Sequence, residues 1–258
     1  MKILIGVNDS NESPTIDKIG KKAFNLFWLH QNKLQVPTFS VLPSSVIHQI
    51  LAPLKQEINE LFNLIEQQEG EALARTLDAF QNKILKLKVE EEITDSLLKE
   101  CTTLFGHNYR ISVRSSAPIE DGENASFAGQ FNSYLNVGDN EVINRVLRCI
   151  ASFWNFGVIT YRKSKRILSR EYQFAVVLQQ MVNAASSGVA FSVNENQNMA
   201  DALIVAGYGV GEGIVTDQTD TDSYKVDRQS RSIAPRITTK TTFFSNDENG
   251  ISEKPVPE

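Results

Sequence analysis

Arg114 opens a segment of small, hydroxylated and glycine residues that suits phosphate binding. It leaves a short stretch of strand composition and enters VRSSAPIEDGENASFAGQ, residues 113–130. Small side chains let backbone N–H groups approach an anion closely, and arginine is a permanently charged, forked donor that can bind two phosphate oxygens. Such loops are also common as plain surface connections, in which Arg114 would pair with Glu120 or Asp121. The segment therefore indicates a phosphate site, with an exposed loop as the alternative.

Two lysines follow a glycine near the start of a predicted helix. The sequence IGKKAFNL places Gly20 before Lys21 and Lys22, at a helix N-terminus whose free N–H groups and dipole favour anions. A lysine at this place can neutralise a phosphate. Two lysines on a helix are more often a solvated face, so this motif by itself leaves both interpretations open.

Alternating glycines follow an apolar strand pattern at residues 207–213, GYGVGEG. A dinucleotide-binding fingerprint requires G-x-G-x-x-G followed by a helix, and neither the spacing nor the following sequence fits. A turn in which the backbone approaches another element closely, with Glu212 directed toward a site, fits better.

The remaining polar motifs carry weaker signals. The run YRKSKRILSR, residues 161–170, has five basic residues within ten. It suits either a nucleic-acid patch or, in its helical context, a solvated face, and we prefer the latter. The two cysteines, Cys101 and Cys149, are expected to be buried thiols. The histidines lack the neighbours of a metal site or a catalytic triad; they are His30, His48 and His107.

The composition is that of an ordinary globular chain. It has 258 residues, 41% hydrophobic and 9% aromatic, enough for one large domain or two small ones. The formal net charge of −5 gives no global basic field of the kind that accompanies general nucleic-acid binding. The sequence lacks a leader pattern and a membrane helix of roughly 18 apolar residues. We therefore expect a soluble, cytoplasmic protein with neither nucleic acid nor membrane as a partner.

Hydrophobic periodicity predicts helices first and strands later in the chain. Apolar residues at three- and four-residue steps predict a helix beginning near Gly20, a helix-rich block over about 44–105 and a core-facing helical stripe over 142–154. β-Branched and aromatic residues bounded by turn residues predict strands. These strands are 34–43, 111–116, 133–137, 173–182, 187–193, 202–210, 223–228 and 232–240. Helices followed by several strands indicate a mixed α/β architecture.

Four segments, taken in order, resemble one family: the N-terminal ATP-binding domain shared by phosphoenolpyruvate synthase (pyruvate, water dikinase), rifampicin phosphotransferase and pyruvate, phosphate dikinase. The segments are 17–41, with DKIGKKAFNL and VPTFSV; 112–137, SVRSSAPIEDGENASFAGQFNSYLNV; 178–193, LQQMVNAASSGVAFSV; and 205–226, VAGYGVGEGIVTDQTDTDSYKV. They span almost the whole chain. The second segment is the most specific, because SFAGQ followed by YLNV resembles the synthase and rifampicin branch.

The resemblance implies an ATP-grasp fold, an α/β (α+β) architecture in which two lobes hold ATP and Mg²⁺ bridges its phosphates. We place the helix-rich part with the phosphate-contacting lysine at 1–105. The mixed α/β part, with the arginine loop and the adenine pocket, is placed at 106–258. By similarity, Lys22 contacts the phosphates, Arg114 does likewise from the opposite lobe, and these two are the catalytic residues.

The same resemblance assigns the other site residues. They are Gly129, Gln130 and Ser133 in a loop over the phosphates; Gln179, Met181 and Val182 in an adenine pocket whose backbone groups read the base edge; and Glu212 near the sugar or the metal. The metal ligands themselves stay unassigned.

The resemblance also implies parts that this sequence lacks. In the complete family enzyme, ATP phosphorylates a histidine on a swivelling domain, which passes the phosphoryl group to pyruvate or to a drug hydroxyl. The sequence stops at EKPVPE, before the family's last ATP-grasp segment and its phosphohistidine and pyruvate domains. We expect an ATP-binding fragment or subunit that is unable to complete the reaction alone, with those domains either on another chain or lost. The alternatives are a non-catalytic nucleotide-binding or interaction module and the front domain of a rifampicin-type phosphotransferase.

Four positions depart from the family pattern. Lys21 stands where a second glycine is usual, Tyr208 replaces a tryptophan, Asp217 replaces a glycine and Thr221 replaces a proline. Asp217 has the clearest electrostatic consequence, because a carboxylate close to a triphosphate repels it unless magnesium lies between them.

Overall fold

The chain forms two compact units, Met1–Met181 and Val182–Glu258. The structure is a computed structural model in which the described residues are 1–7, 9, 14–118, 132–170, 172–193, 200–247 and 250–256. The sequence-based division at residue 105 differs from the boundary at Met181, because strands on both sides of residue 105 belong to one sheet. The expected α/β chain in two parts is confirmed.

The first unit is built on a five-stranded antiparallel sheet. Its strands are β1 (Ile5–Gly6), β2 (Phe39–Leu42), β3 (Ile111–Ser116), β4 (Ser133–Val137) and β5 (Ala175–Gln180). Their order across the sheet is β1-β2-β5-β3-β4, so β5 lies between β2 and β3 although it comes last in the chain. This order joins the beginning and the end of the unit in one layer.

Seven α-helices accompany this sheet in the described part of the unit. They are α1 (Ile16–Gln31), α2 (Ser44–Ile50), α3 (Lys55–Gln67), α4 (Gly70–Leu85), α5 (Glu91–Phe105), α6 (Val142–Ser152) and α7 (Phe156–Ser164). Short 3₁₀ turns at Ala52–Leu54 and Asp139–Glu141 precede α3 and α6. The helix-rich block predicted over 44–105 is confirmed, because its apolar residues at helical spacing all face the core.

The central strands carry apolar side chains on both faces. On β5, Val176 and Leu178 belong to the large cluster formed with α2–α7. The alternate residue Val177 packs with α1 on the opposite face, because side chains alternate along a strand. Phe27 of α1 meets Phe39 of β2 edge to face, with ring centroids 5.1 Å apart. The sheet is therefore covered by α1 on one face and by the other helices on the second.

The second unit is a four-stranded antiparallel meander with a separate hairpin. The meander consists of β6 (Ser186–Phe191), β7 (Asp201–Tyr208), β8 (Asp222–Asp227) and β9 (Ile233–Arg236), paired in chain order. A four-residue helix, α8 (Glu212–Val215), follows β7. The hairpin pairs β10 (Thr242–Asp247) with β11 (Gly250–Pro255). Sequence patterning identified the four strands of the meander and missed the hairpin, whose strands alternate few apolar residues.

One stretch of the first unit has the length and composition of a membrane-crossing helix. It covers 26 residues, Asp139–Ser164, and its most apolar 18-residue window has a mean hydropathy of 1.2. It consists of a 3₁₀ turn followed by α6 and α7, and 61% of its most apolar window is buried inside the protein. Trp154 packs there edge to face on Phe80 of α4, with centroids 5.3 Å apart. We assign this stretch to the core, as the helical stripe over 142–154 predicted.

Candidate functional site

Helix α1 has a sharp bend at Gly20, the glycine that precedes the two lysines. Gly20 has φ 74° and ψ 170°, so the regular helix begins only after it, as the sequence predicted. A Cβ atom at this position would lie 2.3 Å from the carbonyl carbon and oxygen of Ser116. Only glycine satisfies both the left-handed φ and this close approach.

The bend ties the start of α1 to the end of β3. The N–H of Lys21 donates to the carbonyl of Ala117 at 3.0 Å, and the N–H of Ala23 donates to Oγ of Ser116 at 3.1 Å. The prediction that this helix start offers free N–H groups to an anion is therefore wrong for these two amides. Lys22, which lies between them, is half-buried.

The strand register brings three predicted site residues onto one face of the sheet. Arg114 pairs with Ser133 of β4 on one side and with Val177 of β5 on the other. Ser112, two residues before Arg114, pairs with Gln179. Directly opposite residues of an antiparallel pair point to the same face. Because Val177 packs under α1, the side chains of Arg114, Ser133 and Gln179 share the α1 face.

Arg114 and Gln179 make direct contact on this face. Nη1 of the half-buried Arg114 lies 3.5 Å from Oε1 of Gln179, which is a long hydrogen bond. The Gln179 side chain is buried, so it has little freedom to move away. An amide is neutral, and this contact therefore orients the guanidinium without changing its charge. Arginine has five N–H donors in a fixed fork, which suits the binding of a second, anionic partner.

Lys22 and Arg114 are placed by the same junction. Lys22 lies between the anchored amides of Lys21 and Ala23. Arg114 precedes Ser116 by two residues on the same face of β3, about 7 Å along a strand. Lys22 of α1 and Arg114 of β3 are distant in sequence, but this junction joins the helix and the strand that carry them.

The end of β5 is held by both neighbouring strands. The N–H of Gln180 donates to the carbonyl of Thr38 at 2.8 Å, and the N–H of Met181 donates to the carbonyl of Arg110 at 3.0 Å. The Met181 amide proton is therefore already bound within the protein. Of the three residues assigned to an adenine pocket, Gln179 and Met181 belong to the first unit, whereas the exposed Val182 begins the second.

The glycine-rich segment of the second unit makes the close approach that its sequence predicted. Gly209 has φ 74°, and a Cβ there would lie 2.0 Å from the carbonyl oxygen of Phe244. A Cβ on Gly213 would lie 2.6 Å from the ring of Phe244. Glu212 is exposed at the first position of α8. The helix after these glycines has four residues, too short for a dinucleotide fingerprint.

Asp217 adopts a left-handed backbone conformation just after α8. Its φ is 55°, and the N–H of Gln218 donates to the carbonyl of Gly213 at 2.9 Å, which closes the helix end. The structure thus gives a physical reason for a glycine at this position. Aspartate is one of the few other residues that enter this region at modest cost.

Sequence reasoning missed an ion pair at the edge of β8. Lys240, whose side chain is 7% exposed, pairs with Asp222 and lies 5.6 Å from the ring centroid of Tyr208. The N–H of Thr238 also donates to Asp222 at 3.0 Å. The hydrogen bond from Lys240 lowers the pKa of Asp222 below its usual value. No sequence motif links Lys240 with Asp222. Lys240 lies outside the described strands, so strand patterning does not place it beside Asp222.

The basic run of residues 161–170 makes contacts between helices, and its prediction as a solvated face is wrong for Arg162 and Lys163. Lys163 donates to the carbonyls of Ile65 and Gln68 at the end of α3, at 2.7 and 3.0 Å. Arg170 pairs with Glu66 at 3.1 Å. The buried Arg162 lies 4.6 Å from the ring centroid of Phe153, and burial lowers its pKa to about 10. The residues involved are all in the first unit.

Metal-ligating and thiol groups form no further site in the described residues. No group of three or more His, Cys, Asp or Glu side chains gathers there. Cys101 and Cys149 are buried, as predicted, and burial raises the pKa of Cys101 to about 12. Gly129 and Gln130, assigned to the loop over the phosphates, lie outside the described residues.

A cleft of about 770 Å³ opens at the β1 edge of the first unit. The described residues that line it include His30 and Phe39 but none of those assigned to nucleotide binding. One of its two carboxylates, Glu100, accepts hydrogen bonds from the N–H groups of Ile3 and Leu4 at 2.7 and 3.0 Å, and the other is Asp9. The size of the cleft fits a small ligand, but the cationic pair lies elsewhere. We therefore take the α1 face as the candidate site.

The fold is that of an α/β protein, and contacts of Lys21 and Ala23 join the segment around Lys22 to the end of the strand that carries Arg114. Residues 16–258 match the family described as pyruvate phosphate dikinase, AMP/ATP-binding domain, and the chain belongs to this family. The resemblance inferred from the four sequence segments is thereby confirmed.

Curated relatives extend this similarity. An uncharacterized phosphotransferase of Bacillus subtilis is 31% identical over 93% of this chain and 27% of its own length. A probable phosphoenolpyruvate synthase of Methanocaldococcus jannaschii is 29% identical over 94% of this chain and 21% of its own length. The phosphoenolpyruvate synthase of Aeropyrum pernix is 36% identical over 64% of this chain and 21% of its own length. The chain thus spans about a quarter or less of the length of these relatives.

Proposed function

We propose that this chain is the ATP-binding domain of a phosphoenolpyruvate-synthase-like phosphotransferase, with Lys22 and Arg114 binding the triphosphate of ATP. The observation that carries the proposal is the junction between α1 and β3. It joins helix α1, which carries Lys22, to strand β3, which carries Arg114, although the two residues are 92 positions apart in the sequence. Family membership and the names of the relatives identify the ligand and the reaction class.

The chemistry required of such a site is mainly electrostatic. Phosphoryl transfer needs the reacting groups to be positioned and the developing negative charge to be stabilised by cations. Lys22 supplies a point charge at a helix start, whereas Arg114 supplies a fork that matches phosphate oxygens. Gln179 holds that fork through its buried amide. Lys22 and Arg114 are accordingly proposed as the catalytic residues of this domain.

The remaining assignments complete the proposed nucleotide site. Gln179, Met181 and Val182 line the adenine pocket, and the Met181 carbonyl or side chain makes the contact because its amide proton is bound to Arg110. The loop over the phosphates is proposed to contain Gly129 and Gln130, whereas Ser133, which was assigned to the same loop, is the first residue of β4 and is proposed to face the phosphates from that strand.

Mg²⁺ fits this site as an ion held mainly by the phosphates of ATP. Magnesium usually keeps several waters and takes one or two protein carboxylates besides substrate phosphates. Glu212 is an exposed carboxylate at the start of α8 and is the protein ligand we propose, near the metal or the sugar. The ion would neutralise the triphosphate charge that Lys22 and Arg114 leave uncompensated.

We further propose that the complete reaction, from ATP, pyruvate and water to phosphoenolpyruvate, AMP and phosphate, needs phosphohistidine and pyruvate-binding domains in addition to residues 1–258. The relatives named phosphoenolpyruvate synthase are several times longer than this chain, which supports such domains. We expect no turnover from these 258 residues alone. A cytoplasmic location is proposed because the substrate is ATP.

Thermal unfolding with and without Mg-ATP tests the proposal. A ligand that binds only the folded state stabilises it by about 2.7 kcal/mol at a concentration of 100 Kd, which raises the melting temperature. Arg114→Ala should abolish this rise. Arg148→Ala is the matched control, because Arg148 is an exposed arginine of α6 that contacts Asn144. A parent chain that melts at the same temperature up to millimolar Mg-ATP contradicts the proposal and favours a non-catalytic interaction module.

A further inference from the structure

Ser116 joins the two cationic segments through a buried hydroxyl. It is the last residue of β3 and is fully buried. Its Oγ accepts the N–H of Ala23, and its backbone carbonyl fills the space where a side chain at position 20 would stand. Ala23 is also fully buried, so its N–H has no solvent to turn to if Oγ is removed.

The neighbouring Ser115 has the same burial and a different task. Its side chain points to the opposite face of β3, because side chains alternate along a strand. Its hydroxyl donates to the carbonyl of Asn132 at 3.2 Å. The two serines therefore give a matched pair: each loses one buried hydrogen bond on conversion to alanine, but only Ser116 touches α1.

We propose that Ser116 is a positioning residue whose hydroxyl fixes the start of α1 and thereby sets Lys22 at the distance from Arg114 that a triphosphate requires. This inference rests on the proposed function. The bond to Ala23 lies one residue after Lys22, and the bond from Lys21 to Ala117 lies one residue before it. Lys22 is thus held on both sides by the strand that carries Arg114.

Loss of the Ser116 hydroxyl should weaken the binding of the ATP phosphates and not the binding of the adenine base. A displacement of about 1 Å at a positioned group can cost a hundredfold in function, because charge stabilisation depends on geometry. Without the Ser116 hydroxyl, the first turn of α1 has a buried N–H without an acceptor and loosens. Lys22 then samples positions away from the triphosphate. The end of β5, where the base is proposed to bind, is held by separate bonds to Thr38 and Arg110.

Isothermal titration of Mg-ATP and of adenosine to the full chain and its variants tests the inference. Ser116→Ala should weaken Mg-ATP binding about tenfold or more and leave adenosine binding within about twofold of the parent, since tenfold corresponds to 1.4 kcal/mol. Ser115→Ala should leave both within about twofold. If Ser116→Ala fails to fold, Ser116→Cys keeps nearly the same volume with only a weak acceptor and should show the same selective loss.

Three results overturn the inference. One is Mg-ATP binding by the folded Ser116 variant at the parent's affinity. Another is an equal loss for Mg-ATP and adenosine, and the third is an equal loss in the Ser115 variant, since both indicate general damage. A parent chain that binds no Mg-ATP instead overturns the proposed function itself, and that outcome is recognised before any variant is made.

Discussion

The backbone N–H of Ala23 donates a 3.1 Å hydrogen bond to Oγ of Ser116, which lies 93 residues further along the chain. This bond connects two sequence segments that each contain one candidate phosphate-binding cation. Together with the close approach of Gly20 to Ser116, it makes the start of α1 and the end of β3 one structural unit. The proposed triphosphate site depends on this connection more than on either segment alone.

Gly20→Ala tests how much the fold depends on that approach. The substitution places a Cβ 2.3 Å from the Ser116 backbone and at a φ of 74°, so we expect a loss of about 2–4 kcal/mol in the free energy of unfolding. Gly157→Ala in α7 is the control, because a Cβ there meets nothing within 4 Å and alanine favours a helix. Urea denaturation followed by circular dichroism measures both. Equal stability of the two variants contradicts the role of Gly20.

Gln179 offers a test of how the guanidinium is oriented. Gln179→Glu places a carboxylate beside Arg114, where it forms an ion pair that competes with phosphate, and we expect Mg-ATP affinity to fall by about tenfold or more. Gln179→Leu removes the acceptor without adding charge and should cost only a few-fold. Gln180→Glu is the control, since Gln180 is exposed and adjacent in β5. Titration calorimetry measures the affinities, and unchanged binding in Gln179→Glu removes Gln179 from the site.

Replacement of Asp217 by glycine, the usual residue of the family at this position, should not destabilise the fold. Because its φ is 55°, Asp217→Gly relieves backbone strain and should raise the free energy of unfolding or leave it unchanged, within about 1 kcal/mol. Asp217→Ala has no such freedom and should lower it by about 1 kcal/mol. Thermal unfolding of both variants checks the order of stability. Alanine matching glycine would show that the left-handed conformation carries no cost here.

Arg162 is a buried charge whose substitution should not weaken the fold. None of the described residues accepts a hydrogen bond from its Nε or Nη1, and its guanidinium lies over Phe153. Replacing a buried charge by an apolar residue of similar length is often neutral or stabilising, so Arg162→Met should change stability by about 0 to +2 kcal/mol. Arg148→Met, at an exposed site, should stay within about 0.5 kcal/mol of the parent. A loss above about 2 kcal/mol for Arg162→Met indicates a role for the charge.

The lowered pKa of Arg162 predicts how its contribution to stability depends on pH. Burial lowers the folded-state pKa of Arg162 to about 10, below the ordinary arginine value that it has in the unfolded chain. The unfolded state therefore binds more protons between these values, and this arginine adds stability as pH rises above 10. Comparing urea unfolding of the parent and Arg162→Met at pH 9 and pH 11 isolates the contribution. The stability difference between the two should shift in favour of the parent at pH 11; no shift, or a shift toward the variant, contradicts it.

The sequence predicted the helices and strands of this protein better than it predicted which of them lie next to each other. Hydrophobic periodicity located the helices and the four strands of the second unit's meander, because burial leaves a regular pattern in the sequence. The hairpin of β10 and β11 escaped because its strands are half-exposed and carry few apolar residues in alternation. The pairing register of the strands was not predicted either, so the contact of Arg114 with Gln179 became visible only in the structure.

The candidate site shows the same division. The motifs around Gly20 and Arg114 and their resemblance to one family identified the cationic side chains. The bond from Ala23 to Ser116 could not be read from the sequence, because a serine that caps a distant helix looks like any serine of a strand. Residue types identify candidate phosphate-binding groups, whereas contacts between distant segments depend on how the sheet is assembled.

A double-mutant cycle on Mg-ATP binding tests the central claim most directly. Lys22→Ala, Arg114→Ala and the double variant are titrated with Mg-ATP, with Lys18→Ala as the control for an exposed lysine of α1. We predict that each single variant weakens binding about tenfold or more, since hydrogen bonds to charged groups contribute about 1.5–3 kcal/mol. We also predict that the double variant deviates from the sum because both cations bind one triphosphate. Parent-like affinity in either single variant, with the fold intact, contradicts the account.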